Sequence, residues 1–502
     1  MTQTAPTSPA RADDDEQRRF ASLDPRTGEV IAHHPVASED EVRETVRVAR
    51  EASAFWAGLG FDGRRARLDA WRRLLVKRLD EFQALVSAET GKSADDARTE
   101  LALVIDHLHW VARQAPKVLG KRKVSSGMLM YNHAATLEYR PLGVVGVIGP
   151  WNYPAFTPMG SIAYALAAGN AVVFKPSEFT PGVGAYLAST FGEVVPEHPV
   201  LQVVTGFGET GAALCASGVD KLAFTGSTAT GKKVMAACAA SLTPVLVECG
   251  GKDPLIVAED ADVRAAAEGA VWGGIFNSGQ TCAGVERVYV ADAVYDEFVA
   301  LVVEKAKGLR PGGEADAHFG PITMPGQVDV IRSHVADALE RGGRALVGGL
   351  ESIRPPYVEP VVLVDVPEDS TAVTEETFGP TLVVTRVADA DEAVRRANAS
   401  AYGLGASVFS RERGEELADR LRCGMVSINA VLAYASVPGL PFGGVGDSGF
   451  GRIHGEDGLR EFTYAHSVTR KRFGALLNPM TYDRGARTVR HVLRLVRILY
   501  GR

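Results

Sequence analysis

The chain has 502 residues, 46% of them apolar and 23% charged, and a net charge of −7. These values describe a soluble globular protein of two or three structural units, and the negative balance offers no general attraction to nucleic acid. The five cysteines, Cys215, Cys238, Cys249, Cys282 and Cys423, have neither CxxC spacing nor disulfide-scaffold density. They read as reduced thiols in the cytoplasm.

Residues 1–25 read as a loose tail: "MTQTAPTSPARADDDEQRRF" is polar and acidic and has no apolar h-region of a signal peptide. No run reaches the eighteen or so apolar residues of a membrane span. Residues 40–120 read as helices. "SEDEVRETVRVAREASAFW" opens with a Ser-x-x-Glu capping box and carries Val42, Val46, Ala49 and Ala52 at helical spacing. Amphipathic stretches follow through "RLDAWRRLLVKRLDEFQALVSAETGK" and "LALVIDHLHWVARQA". From about residue 137, "TLEYRPLGVVGVIGP" alternates and then turns continuously apolar, as a strand entering a buried sheet does.

Short β-rich runs then alternate with helical stretches: "AVVFKP", "VLQVVTG", "KLAFTG" and "TPVLVECGG". This pattern predicts a parallel, doubly wound α/β sheet. After about residue 250 it repeats with "DPLIVAED", "RVYVAD", "RALVGG", "PTLVVTRV", "ASVFS" and "GMVSIN", which predicts a second α/β unit.

Three loops in this region are candidates for meeting a nucleotide. "GFGETG", Gly206–Gly211, matches GxGxxG after a strand but lacks the acid about twenty residues on that a dinucleotide fingerprint needs. "GSTATG" runs from strand to helix, with Gly226 and Gly231 around Ser227, and a helix N-terminus attracts phosphate. An ordinary βα turn has the same outline. "FKPSEFTP" places Lys175 and Glu178 just after a strand, where a carboxylate can take ribose hydroxyls; a solvated Lys–Glu pair is the plain alternative. Glu248, at the end of the strand that follows "GSTATG", occupies the ribose-acid position of an ordinary Rossmann unit, a rival role for that residue.

Cys282 stands in "NSGQTCAGVERVYV", among small and polar residues and not the aliphatic surroundings of a packing thiol. Together with "GVIGPWNYP", "ALAAGNAVVFKPSE", "FTGSTATG", "VECGGKDP", "EETFGP", "ANASAYGLGASVFS" and "PFGGVGDSGFGRIHGEDGL", it resembles the aldehyde dehydrogenase superfamily over about residues 40–470. The resemblance implies a doubly wound, Rossmann-like cofactor domain at 26–125 and 142–249 and a catalytic α/β domain at 250–458. It further implies an oligomerisation element at 126–141 and 459–472, serving a homodimer or homotetramer. Residues 473–502 remain as a helical extension.

By position in these motifs, Cys282 looks like the nucleophile, Glu248 the general base and Asn152 the oxyanion donor. Ile148, Trp151, Lys175, Glu178, Gly226, Ser227, Gly231, Glu376 and Phe378 look like contacts of NAD, with NADP as the alternative; no metal is implied. The resemblance predicts oxidation of an aldehyde to the acid through a thiohemiacetal and a thioester. Cys249 stands where the family usually has Leu.

The helix after Asn152, "YPAFTPMGSIAYALAAG", would line the aldehyde tunnel with Phe156 and Met159 and offers no Lys or Arg to pair a second carboxylate. An apolar or aromatic aldehyde is therefore expected, with a succinic-semialdehyde type as the minor option. A coenzyme A-acylating variant is disfavoured by Glu248, and a catalytically silent descendant by the intact Cys282, Glu248 and Asn152. The tail "ARTVRHVLRLVRILYGR" reads as a basic amphipathic helix. Such a helix can lie on an anionic membrane; packing on a neighbouring subunit or on its own domain is the preferred reading.

Overall fold

The computed structural model describes residues 11–12, 18–314, 316–475 and 477–501. The reading of residues 1–25 as a loose tail does not hold for residues 19–23. Arg19–Leu23 is a strand, antiparallel to Val30–Pro35, and its Phe20 is fully buried with Val36 and Phe207. Residues 1–10 and 13–17 lie outside the described residues.

Helix α1, Glu39–Gly58, starts at the expected capping box: the Ser38 hydroxyl accepts from Glu41 N–H, and the Glu41 carboxylate accepts from Ser38 N–H at 2.7 Å. Its Val42, Val46, Ala49, Ala52 and Trp56 are buried on one face. The stretch that reads as one amphipathic run from Arg67 is two helices, α2 (Gly60–Lys77) and α3 (Leu79–Thr90), because Arg78 leaves helical geometry. Gly91, at φ 75°, ends α3 where a Cβ would press on Pro321 and Pro25. Helix α4 runs Ala94–Leu119.

Two sheets form the centre. The first orders its strands as Gly449–Phe450, Val245–Cys249, Lys221–Gly226, Val144–Ile148, Ala171–Lys175 and Leu201–Val203. All are parallel except Gly449–Phe450, which pairs antiparallel with Val247–Glu248. The second orders Arg344–Val347, Val361–Val364, Thr381–Val387, Val285–Ala291, Asp253–Val257, Gly405–Phe409 and Met425–Ile428, with only Arg344–Val347 antiparallel. This is the doubly wound α/β architecture that the alternation predicts. Buried on both faces, the central strands read as unbroken apolar runs. Val361–Val364 escaped the sequence reading, since so short an apolar run carries no periodicity.

"TLEYRPLGVVGVIGP" is also two strands, His133–Pro141 and Val144–Ile148, in different sheets. Gly143, at φ 133°, separates them. The crossover helices that concern the site are α5 (Phe156–Ala168), α6 (Pro181–Val194), α7 (Gly208–Ala216), α8 (Thr228–Ala239) and α9 (Val263–Ile275).

The chain divides into two compact units. The larger comprises residues up to Val118 and Pro141–Thr463, and holds both central sheets. The smaller comprises Leu119–Arg140 and the residues from Tyr464 on. A three-stranded sheet of Arg122–Val124, His133–Pro141 and Thr463–Lys471 belongs with it. The expected hairpin thus begins at Arg122 and not at 126. The tail forms the expected helix over Ala486–Tyr500, and none of its residues is buried. Among the described residues, no helix is long and apolar enough to cross a membrane.

Candidate active site

Between α9 and the strand Val285–Ala291 the backbone takes an uncommon path. Asn277, Ser278 and Gly279 all have positive φ, at 53°, 60° and 71°. Holding a non-glycine residue there costs roughly 1 kcal/mol or more, and side-chain hydrogen bonds hold it. Asn277 Nδ2 donates to the carbonyls of Gln280 (3.1 Å) and Asn152 (3.2 Å). Gln280 Nε2 donates to the Asn277 carbonyl at 3.0 Å, while its Oε1 accepts from Thr323 N–H at 2.8 Å. Gly279 sits against the Gly379 carbonyl with no room for a Cβ. The small residues before Cys282 therefore serve close backbone packing, which presents the cysteine from a fixed loop.

Cys282 is partly buried, and its Sγ faces Glu248 Oε1 at 3.9 Å. Glu248 ends its strand 3% exposed, and Thr225 Oγ1 donates to its other oxygen at 3.2 Å. Burial, only partly offset by these two donors, pushes the Glu248 carboxyl up to about 7. Burial also raises the Cys282 thiol well above its ordinary value, with the Glu248 and Glu376 carboxylates adding to the effect. The Cys282 thiol therefore faces, at 3.9 Å, a carboxyl group that could accept its proton only as the sulfur attacks.

Asn152 follows the strand Val144–Ile148, 5% exposed. One N–H of its amide donates to the Gln280 carbonyl at 3.1 Å, leaving the second uncommitted. The loop is pinned by a buried pair that the sequence did not reveal. Lys92 Nζ donates to Glu100 at 2.6 Å and to the Asn152 carbonyl at 2.8 Å. Glu100 in turn accepts the N–H groups of Ala155 (2.8 Å) and Phe156 (3.0 Å) at the start of α5. The only sequence signal is a Glu on the apolar stripe of α4.

Three clefts meet around these residues. The first, at the carboxyl ends of the first sheet, is lined by Ile148, Trp151, Lys175, Glu178, Gly226 and Ser227, and also by Gly208 and Gly211 of "GFGETG". Both glycine-rich loops therefore face one groove. Ser227 caps α8, its hydroxyl accepting from Thr230 N–H. Gly231 does not line the groove. A Cβ there would meet Val247 at 2.9 Å and Cys249 at 3.1 Å, so its bareness lets α8 pack on the sheet.

The second cleft joins Trp151, Asn152, Ser227 and Cys282 to Glu376 and Phe378. The Phe378 ring meets Trp151 edge-on, centroids 5.4 Å apart. Burial and the neighbouring Glu286 drive the Glu376 carboxyl up to about 8, and its Oε1 is buried without a hydrogen-bond partner. A ribose hydroxyl arriving in the cleft would supply that partner, so the donor set fits a dinucleotide. A second buried pair holds this loop: Lys252 bonds Glu286, which accepts from Thr377 N–H at 2.9 Å and Phe378 N–H at 3.0 Å. The sequence does show Glu286, a charge inside a strand buried along its whole length.

The third cleft opens on Cys282 and Glu248 from the other side. Leu103, Phe156, Trp272, Phe276, Phe442 and Ile453 line it, with His454 and no Lys or Arg. Met159, expected here, is buried but does not line the cavity. His454 is 1% exposed, neither ring nitrogen has a partner, and burial beside His107 holds it neutral.

A sequence model of the aldehyde dehydrogenase family matches residues 12–468. This chain belongs to the aldehyde dehydrogenase family. Among the relatives of this aldehyde dehydrogenase is the 4,4'-diapolycopene aldehyde oxidase of a Methylomonas species, 38% identical over 89% of this chain and 84% of the relative. A Mycolicibacterium smegmatis protein provisionally named succinate-semialdehyde dehydrogenase (NADP(+)) is 35% identical over 89% of this chain and 87% of its own. The crystal structure of lactaldehyde dehydrogenase from Escherichia coli superposes with a TM-score of 0.87 at 30% identity, covering 93% of this chain and 99% of that one. The dehydrogenase is thus an oxidoreductase that acts on an aldehyde group with NAD(P).

Proposed function

We propose that the enzyme oxidises apolar or aromatic aldehydes to carboxylic acids through a thioester on Cys282. The observation that carries the substrate reading is the cavity over Cys282, with five aromatic side chains counting Tyr153, with Leu103 and Ile453, and no cation to pair a distant carboxylate. The Methylomonas relative, named for an aldehyde of 4,4'-diapolycopene, supports it; the succinate-semialdehyde relatives favour the rival.

In this reading the thiol proton passes to Glu248 as Cys282 Sγ adds to the carbonyl carbon, giving a thiohemiacetal oxyanion. The uncommitted Asn152 N–H and the Cys282 backbone N–H hold that oxygen; losing one such donor typically costs about 3 kcal/mol of barrier. NAD(P), when bound, supplies the hydride acceptor. Once the thiol proton has passed on to solvent, Glu248 is again a carboxylate; it takes a proton from water, which attacks the thioester, and returns that proton to the departing sulfur as the acid and the free thiol are released. Ile148, Trp151, Lys175, Glu178, Gly226 and Ser227 would hold the adenosine and pyrophosphate side, and Glu376 and Phe378 the nicotinamide side. Glu178 would repel a 2′-phosphate, so NAD is the proposed oxidant. Glu248 argues against coenzyme A as the acyl acceptor. We further propose a cytoplasmic homodimer or homotetramer, assembled through the small three-stranded sheet.

The test is NADH formation with decanal, benzaldehyde and succinic semialdehyde, using NAD and NADP, with Cys282→Ser as control. Decanal or benzaldehyde should give the highest kcat/KM, and the variant should bind NAD without turnover. A higher kcat/KM for succinic semialdehyde would reverse the substrate reading, and activity in the variant would remove the mechanism.

A further inference from the structure

Among the described residues, the C-terminal helix Ala486–Tyr500 is the one long helix in which no residue is buried. Its side chains are nevertheless sorted, with Ile498 the apolar exception on the arginine side. At 100° per residue the arginines 487, 490, 494 and 497 fall within an arc of about 80°. Val489, Val492, Leu493, Leu495, Val496, Leu499 and Tyr500 fill an opposing arc of about 160°. That apolar face meets solvent: Leu493 is 50% exposed, Leu495 46% and Tyr500 65%. A 15-residue helix with such a face left bare is unfavourable in water unless something covers it.

Charge says what covers it. The chain as a whole carries −7, yet from residue 464 on it has nine Lys or Arg and a single acid, Asp483. No acid lies within the helix, so it has no internal salt bridge of the kind that laces α1 or the helix Ala390–Ala397. Arginines flanking an apolar stripe of Leu, Val and Tyr, unaccompanied by acids, match a surface that is anionic outside and hydrocarbon just beneath. Its length and arginine content exclude a span, and no described helix crosses a membrane.

We propose that the helix Ala486–Tyr500 lies in the surface of an anionic lipid bilayer, its Val489/Leu493/Val496/Tyr500 face among the acyl chains and its arginines at the headgroups. This makes the enzyme a peripheral membrane protein. The proposal does not rest on the substrate reading, although a membrane is where apolar aldehydes collect.

The test is co-sedimentation of the full-length protein with vesicles of phosphatidylcholine alone or with 30% phosphatidylglycerol, at low and high salt. Binding is expected only with phosphatidylglycerol, weakening as salt rises. Arg490→Glu/Arg494→Glu should lower the partition coefficient by well over tenfold, at about fivefold per arginine lost. Leu493→Asp/Val496→Asp should abolish binding. Both variants should keep the parent NADH-forming rate with a water-soluble aldehyde, which shows that they fold. The proposal is overturned if the parent stays in solution with every vesicle, or if the variants sediment as it does. It is equally overturned if the leucine–valine variant lowers the particle mass by light scattering while the parent ignores vesicles, because a second copy would then be the cover.

Discussion

At the scale of single residues, the proposed chemistry turns on the environment of Glu248. Desolvation pushes its carboxyl up to about 7, against 4.5 for the free group. The base form is the ionised one, so kcat should rise with pH through about 7 and level off above it. The same shift has a stability sign. Between about 4.5 and 7 the folded state holds a proton that the unfolded state has released, so this residue destabilises the fold progressively as pH rises through that window. Glu248→Gln should therefore raise Tm relative to the parent more at pH 8 than at pH 4.5, while slowing kcat by roughly 10²- to 10⁴-fold. Mass spectrometry should find acyl groups accumulating on Cys282. Parent-like turnover would show that another group activates the water. Glu178 offers an independent check: Glu178→Thr should raise kcat/KM with NADP and lower it with NAD, as read by the ratio of the two. The family resemblance singled out Cys282, Glu248 and Asn152 in the sequence, and the structure sets Cys282 beside Glu248 and in one cleft with Asn152. Lys92 and His454 were not legible there, since nothing local marks a lysine or a histidine as buried.

At the scale of elements, two buried ion pairs fix the loops that carry the site. Lys92 and Glu100 tie α4 to the Asn152 loop, and Lys252 and Glu286 tie the second sheet to the Glu376–Phe378 loop. Breaking such a pair leaves a buried charge uncompensated, at a typical cost of about 3–5 kcal/mol. Lys92→Met should accordingly lower Tm and also kcat, because the Asn152 carbonyl loses its anchor; both are measured by calorimetry and steady-state assay. A variant with unchanged kcat would show that the loop holds its position without the lysine. Helix α5 makes a different demand. A Cβ on Gly160 would meet His454 Nε2 and Ile453 Cδ1, both at 2.8 Å. Gly160→Ala should raise KM for the aldehyde while leaving KM for NAD unchanged, and a shift in both would place the disturbance elsewhere. Periodicity announced the helices α1 to α4, and short β-rich runs announced most strands. It gave no warning of the break at Arg78, where the pattern of apolar residues continues although the backbone does not.

At the scale of the whole molecule, the alternation of strand and helix made both sheets legible, but not the thread that joins their ends. Gly449–Phe450 returns from beyond the second sheet to pair antiparallel with Val247–Glu248, two hundred residues earlier. A two-residue strand has no sequence signature, and pairing over such a separation leaves none either. Its consequence is mechanical: the strand that ends in the proposed base has, as its outer neighbour, a segment from the other end of the fold. Gly449 makes the pairing possible, with φ at 97° and no room for a Cβ against the Val247 carbonyl. Ser448 adds to it by donating to the Gly250 carbonyl at 2.8 Å. Gly449→Ala must either strain the backbone or part the strands, at roughly 1–3 kcal/mol. It should lower Tm and, by moving Glu248, slow hydrolysis of the thioester more than its formation. Single-turnover kinetics would read that as a normal burst of NADH followed by a depressed steady rate. A variant in which burst and steady rate fall together would mean that the strand also positions Cys282, and one with neither Tm nor rate changed would show that the thread carries no load.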